Sequence, residues 1–276
     1  MVSPFRNLSA TYKGNYQRHL EAFKRRLKST FPEHTNYTDF YPSIGVPEGG
    51  TLDLLVYGQA VGGWHRELDF ALDDLKGRAE ESRSYSNKAI GDHSPLEWVN
   101  VLWSDGEMKR YTADEQAHYV QRENAYRAHR SFFWQVTTKL LAQRHKLDDD
   151  RHWTRHMVWS NLYKIAPQWW EQKNGVSQKH SANPTEADRI LQRPECIDLV
   201  RMELKELRPK ACIVLTNDAW WSHFRRGLHT TEVKMERGPT IDSVEDHEGT
   251  RIVVTKRGWG VRSDDAVRDI AACLAS

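Results

Sequence analysis

The chain has 276 residues and a mass of 32.2 kDa, room for one generous domain or two small ones. Hydrophobic residues make up 38%, and 11 Trp, 10 Tyr and 8 Phe exclude a disordered chain despite a mean hydropathy of -0.76. Forty basic against 38 acidic residues leave a formal charge of +2, which excludes a chain-wide electrostatic nucleic-acid binder but not a local basic footprint.

From the front, residues 15–28 (NYQRHLEAFKRRLK) read as a helix. Leu20, Phe23 and Leu27 share one face, with Arg18, Lys24, Arg25, Arg26 and Lys28 around it, either a solvated basic face or a phosphate-contacting one. Residues 31–50, rich in Pro, Gly, Thr and aromatics, read as a connecting loop. Four short apolar runs follow along the chain: 52–57 (LDLLVY), 156–160 (HMVWS), 211–216 (ACIVLT) and 251–255 (RIVVT). Their brevity and β-branched content predict strands buried on both faces. Residues 64–129 are too long for a simple crossover and predict a partly helical insertion. A helix is predicted over 131–145, with Phe133, Val136, Leu140 and Leu141 apolar. Asn183-Pro184-Thr185-Glu186 carries an N-cap residue, a helix-opening proline and a capping-box glutamate. Pro194 then predicts a break, and a second helix places Ile197, Val200, Leu204 and Leu207 on one stripe before Arg208-Pro209. Ser263, Asp264 and Asp265 open a last helix with Val267, Ile270, Ala271 and Leu274 facing inward.

Alternating strands and helices predict an α/β fold, a largely parallel sheet with helices on both sides. In such folds ligands sit beyond the carboxyl ends of the strands. That rule nominates four stretches, 58–64, 161–167, 217–221 and 256–262. No apolar run approaches the ~18 residues of a membrane span. The opening MVSPFRNLSATYKG lacks a secretory apolar stretch. Cys196, Cys212 and Cys273 are too widely spaced for a disulfide framework or a CxxC-type site. A reducing cytoplasm is the expected setting.

The first strand runs into Gly58-Gln59-Ala60-Val61-Gly62-Gly63-Trp64. Glycines permit a tight turn and close backbone approach to a ligand. The stretch has neither the Gly-Lys-Ser/Thr of a P-loop nor GxGxxG spacing, and a plain strand-to-helix turn is the competing reading. The second strand runs into Trp159-Ser160-Asn161-Leu162-Tyr163-Lys164-Ile165-Ala166-Pro167. An asparagine offers one acceptor and one amide donor, suited to a base edge, or it ties down the loop.

Together the GQA turn, the WSNLYKIAP segment and residues 183–220 (NPTEADRILQRPECIDLVRMELKELRPKACIVLTNDAW) resemble the uracil-DNA glycosylase superfamily in order and spacing over roughly half the chain. Arg130-Ser131-Phe132 is similar to the family's Arg-Pro-Phe. The resemblance implies a three-layer α/β/α sandwich around a central four-stranded, mostly parallel sheet. It implies one domain over 1–276, with an N-terminal helical extension (about 1–50) and an insertion (about 65–129). Gly58 and Gln59 match the family's first motif. Its water-activating Asp falls on Ala60 and its thymine-excluding Tyr near Gly62. Asn161 matches the base-reading Asn, and Phe132 is the candidate stacking aromatic, with core packing of Phe132 or Phe133 as the alternative. The late His-Pro-Ser motif has no counterpart, since Lys256-Arg257-Gly258-Trp259-Gly260 stands there with Arg257 in the histidine's approximate place.

Hydrolysis of a base–sugar bond requires a flipped nucleotide, a placed water and stabilisation of the departing anionic base. The expected catalytic set is Gln59, Asn161, Glu67 and Arg257, with Asp69 as another displaced acid; solvent exposure is the competing role of both carboxylates. Gly58, Ala60, Gly62, Trp64, Phe132 and Trp259 are the expected substrate contacts, and Trp98 and Trp103 also suit stacking. Small residues at Ala60, Gly62 and Gly63 leave room for a bulky modified base. The resemblance extends to bacterial anti-phage glycosylases that excise hypermodified cytosines such as glucosylated hydroxymethylcytosine. The expected protein is thus a monomeric, cofactor-free, metal-free glycosylase with DNA as partner and no membrane. An inactive nucleic-acid-binding member, a uracil or damaged-base repair enzyme, and a small-nucleoside hydrolase are the alternatives. His152 and His156 as metal ligands, Asp148–Asp150 as a cation site, and Arg225, Arg226 and Lys234 as phosphate contacts are weaker readings.

Overall fold

The computed structural model describes residues 7–30, 36–46, 49–60, 68–70, 74–88, 131–146, 150–173, 176–257 and 260–275. The helices are α1 (Ala10–Thr30), α2 (Arg78–Lys88), α3 (Phe132–His145), α4 (Glu186–Leu207), α5 (Asp218–Leu228) and α6 (Ser263–Ala275). The strands are β1 (Asn36–Asp39), β2 (Ser43–Ile44), β3 (Leu54–Gly58), β4 (Leu68–Asp69), β5 (Met157–Asn161), β6 (Ile165–Lys173), β7 (Val176–Ser181), β8 (Ala211–Val214), β9 (Thr231–Glu232), β10 (Ile241–His247) and β11 (Thr250–Thr255).

All four predicted strands lie side by side. The main sheet has the order β2-β5-β3-β8-β11-β10-β9, and its central β5, β3, β8 and β11 run parallel. Antiparallel β2, β10 and β9 widen it to seven strands, beyond the four expected. The central runs read as unbroken apolar stretches because alternate side chains enter two different cores. Leu55, Tyr57, Val158, Cys212, Val214, Ile252 and Val254 join Leu20 and Phe23 of α1, Val200 of α4 and Phe224 of α5. Leu54, Val56, Met157, Trp159, Ile213 and Val253 join Trp134 and Leu140 of α3 and Ile270 of α6. The chain is therefore a mixed α/β protein with a parallel sheet centre.

A second, antiparallel sheet, β4-β1-β6-β7, departs from expectation. Residues 31–50, read as a loop, contribute β1 to it and β2 to the main sheet. These strands have four and two residues, too short for any periodicity to register. Nor is α1 an appendage. It lies antiparallel along α4, with Ser9 bonded to Glu206, Tyr12 to Glu203 and Arg26 to Glu195. Of residues 64–129, the described part contributes β4 and α2; the remainder lies outside the described residues.

Pro194 does not break the helix: α4 is continuous over 22 residues. Pro194 and Ile190 are both exposed, so water can serve the Ile190 carbonyl that a prolyl nitrogen cannot. The N-cap is Thr185, in a capping box with Asp188, rather than Asn183 with Glu186.

Inside the α1 core, His19 is buried with its Nε2 3.8 Å from the Cys196 sulfur, and Nδ1 has no partner among the described residues. Burial lowers its pKa to about 4; Lys164 and Arg26 act in the same direction, while Glu195 and Asp39 oppose them. The folded state thus resists protonation that the unfolded chain accepts near the ordinary value of 6.5. The sign follows. Stability is complete above pH 6.5, falls as pH drops toward 4, and the loss saturates at about 3 kcal/mol. Urea unfolding from pH 7.5 to 4 is expected to carry this slope, and His19→Gln to flatten it.

Candidate functional site

The carboxyl ends of β3 and β5 meet in register, Gly58 opposite Asn161. The backbone N–H of Leu162 donates to the Gly58 carbonyl at 2.9 Å, and that of Tyr163 to the Gln59 carbonyl at 3.1 Å. These bonds extend the parallel ladder past the strands and fix the two expected motifs against each other. Gly58, Gln59, Ala60 and Asn161 are therefore one local constellation.

Asn161 is 1% exposed. Its side chain projects on the sheet face covered by α3, since it shares the parity of Met157 and Trp159. The Oδ1 atom lies 2.6 Å from where a Cβ on Gly58 would stand, and the Phe133 ring lies 3.5 Å from the same point. Glycine is required there because any side chain would collide with the amide. The Asn161 Nδ2 is buried with no hydrogen-bond partner among the described residues. An unpaired buried amide costs about 1–3 kcal/mol, a cost that a ligand acceptor would relieve.

The segment that carries Asn161 is pinned from the opposite face. Lys164, wholly buried, donates through Nζ to Ser160 Oγ, the Asn161 carbonyl and Glu203 Oε1, each at 2.7 Å. Glu203 also accepts from Tyr12 at 2.5 Å and Tyr57 at 2.7 Å. Burial and the neighbouring carboxylate push both phenols well above their usual range, so they remain neutral donors. This network lies directly beneath the Asn161 segment, and Lys164 has no N–H left for a substrate.

Gln59 is half-buried, and its Oε1 accepts from Asn183 Nδ2 at 3.2 Å. The Asn183 amide, expected to cap a helix, instead bonds Gln59. Asn217, at the end of β8, caps α5 by accepting from the Trp220 N–H, a structural role.

The aromatic ring nearest Gly58 is Phe133, the neighbour of the expected Phe132. Phe132 is half-buried at the helix start and packs against the apolar cluster beneath α3. One helical position separates the two by about 100°, and only the docked helix decides which ring meets Gly58. Arg257 is exposed just past β11. It is on the same sheet edge, but β11 is two strands from β3, about 10 Å across. Asp69 sits on β4, paired with Asn36 in the second sheet. Glu67, Gly62, Trp64 and Trp259, with Gly63, Trp98 and Trp103, lie outside the described residues, as do Asp148, Asp149 and the His152 side chain. Arg225 is committed to Glu245, Asp218 and Ser243.

Among the described residues, no carboxylate bonds to Gln59 or Asn161. The buried acids have other partners: Asp39 holds Arg78, Ser82 and Tyr16; Glu245 holds Arg225 and Trp221; Asp53 holds Arg144. No three or more His, Cys, Asp or Glu among the described residues are grouped to hold a metal ion, and no helix there can cross a membrane. What the constellation can do is donate a hydrogen bond from a desolvated amide beside an aromatic ring. No family model and no curated protein matches the chain.

Gly58→Ala tests this geometry. Its methyl would force the Asn161 amide away, at a stability cost of about 1–3 kcal/mol from overpacking. Affinity for any ligand that accepts from the Asn161 amide is expected to fall on the order of 10-fold or more, for the loss of one buried hydrogen bond. Titration calorimetry and thermal unfolding read the two effects separately.

Proposed function

We propose that the chain is a monofunctional DNA glycosylase on a three-layer α/β/α frame, hydrolysing the base–sugar bond of a flipped-out, bulky modified base and leaving an abasic site. The buried Nδ2 of Asn161 at the sheet edge, without a partner among the described residues, carries this reading. A flipped base presents carbonyl or ring-nitrogen acceptors on its Watson–Crick edge, and a desolvated amide donor reads them. As the bond breaks, negative charge grows on that base, so a fixed N–H gains strength in the transition state. Phe133 supplies an aromatic wall. Gln59, held by Asn183, orients the water. A modified cytosine such as glucosylated hydroxymethylcytosine is the preferred substrate, with a cytoplasmic, anti-phage role.

A second reading is favoured by one observation: among the described residues no carboxylate reaches Gln59 or Asn161. On that reading the chain binds an exposed base without hydrolysing its bond. One assay separates the two. DNAs carrying uracil, hydroxymethylcytosine or glucosylated hydroxymethylcytosine are incubated with the protein, and mild alkali reveals abasic sites. Strand breaks on a modified-base DNA support the enzyme; tight binding with no breaks on any DNA supports the binding protein.

A further inference from the structure

Resting on the reading of the protein as DNA-binding, we infer that a basic groove between α1 and the start of α2 is a second contact surface, which tracks the phosphates of the strand that delivers the base. The groove, about 480 Å³, is lined by Lys24, Arg25 and Lys28 of α1 and by Lys76, with Glu21 and Asp74 as its acids. Four cations against two carboxylates give it a net charge equal to the formal charge of the entire chain.

Its floor is rigid. The Gln17 side chain donates to the Leu75 carbonyl at 2.6 Å and accepts from the Ala79 N–H at 3.1 Å, locking α1 to the α2 entry. Asp74, itself exposed, accepts from the Lys76 N–H at 2.9 Å. Gly77 takes a left-handed φ of 79° at that bend, so the chain turns sharply and leaves Lys76 exposed at the rim. Arg25 and Lys28 are exposed as well.

Placement along the fold ties the groove to the site. The first turn of α1 meets the end of α4, through Ser9 and Glu206. Its later turns meet the start of α4, through Arg26 with Leu191 and Glu195. Leu191 is about 9 Å of helix from the Thr185 cap. Asn183, two residues before that cap, holds Gln59. The later turns of α1 are thus linked, through the start of α4, to the Asn183–Gln59 contact. Nucleic-acid affinity comes mainly from phosphate contacts, and such cations fix register without reading sequence.

Arg25→Gln/Lys28→Gln/Lys76→Gln is the test, with Arg155→Gln/Lys205→Gln/Lys210→Gln as a charge-matched control away from the groove. Binding to one modified-base DNA is measured across a salt series. The groove variant is expected to bind on the order of 10-fold more weakly, and the slope of log K against log salt to fall by about 2–3, for three released phosphates. The control is expected to hold the wild-type slope. Equal losses in both variants, or none in the groove variant, would overturn the groove while leaving DNA binding intact. Failure of the wild type to bind any DNA would overturn the underlying reading, and the groove with it. Circular dichroism of both variants checks folding.

Discussion

Glu203→Met is expected to cost about 3–5 kcal/mol of stability, more than any other single change considered. The carboxylate is wholly buried, as is its partner Lys164. Removing it leaves an ammonium in the core with only neutral acceptors, Ser160 Oγ and the Asn161 carbonyl. It also strips two buried phenols, Tyr12 and Tyr57, of their acceptor. Lys164→Met is the milder change because Glu203 keeps both phenol hydrogen bonds. Glu203→Met/Lys164→Met removes both charges, and replacing a buried pair by apolar groups is often close to neutral. The double variant is therefore expected to be more stable than Glu203→Met alone. Urea unfolding of all four proteins closes the cycle. Single losses below ~1 kcal/mol that simply add would show that the pair does not couple α1, β3 and α4.

The same cycle separates stability from function. Lys164 holds the Asn161 carbonyl, so a stable double variant still lacks the bond that sets the Asn161 segment. Recovered folding with weakened base binding is the signature of a positioning network. Recovered folding with full binding would make it a stability device alone.

What could be read from the chain depended on how many neighbours each element answers to. The central strands were legible because a strand buried on both faces is apolar at every position, as LLVY and ACIV are. The second sheet was not. Its β7, VSQKHS, is largely polar, and β6 contains Pro167, so only pairing reveals either as a strand. The capping error had a similar origin. Asn183–Glu186 and Thr185–Asp188 both offer the three-residue spacing of a capping box, and sequence holds nothing to choose between them. The structure spends Thr185 on the helix and Asn183 on Gln59. At the site, Gly58, Gln59 and Asn161 were legible because each follows a recognisable strand. The seat of Phe133 was not, because it depends on how α3 docks, as does the distance of Arg257 across two strands.

If the chain is the glycosylase proposed above, Asn161→Ala reduces excision of the modified base by about 10²-fold or more, the scale of one lost transition-state donor. Its effect on stability has the opposite character. The Nδ2 finds no protein partner among the described residues, so deleting it removes a desolvation cost of about 1–3 kcal/mol that offsets the packing lost with the side chain. A variant as stable as the parent but slow on its substrate is the expected pair of results. If binding without hydrolysis is the true activity, the same variant loses preference for DNA with an intact base over DNA with an abasic site. Asn161→Asp sharpens the test because it keeps the shape and exchanges the amide donor for a carboxyl. Ionised, that group accepts only; protonated, it donates. Burial favours the neutral form, so activity is expected to return as pH falls through the carboxyl's raised pKa. Full activity of Asn161→Ala, or a stability loss above ~2 kcal/mol, would mean that the amide serves the fold and that no base is read there.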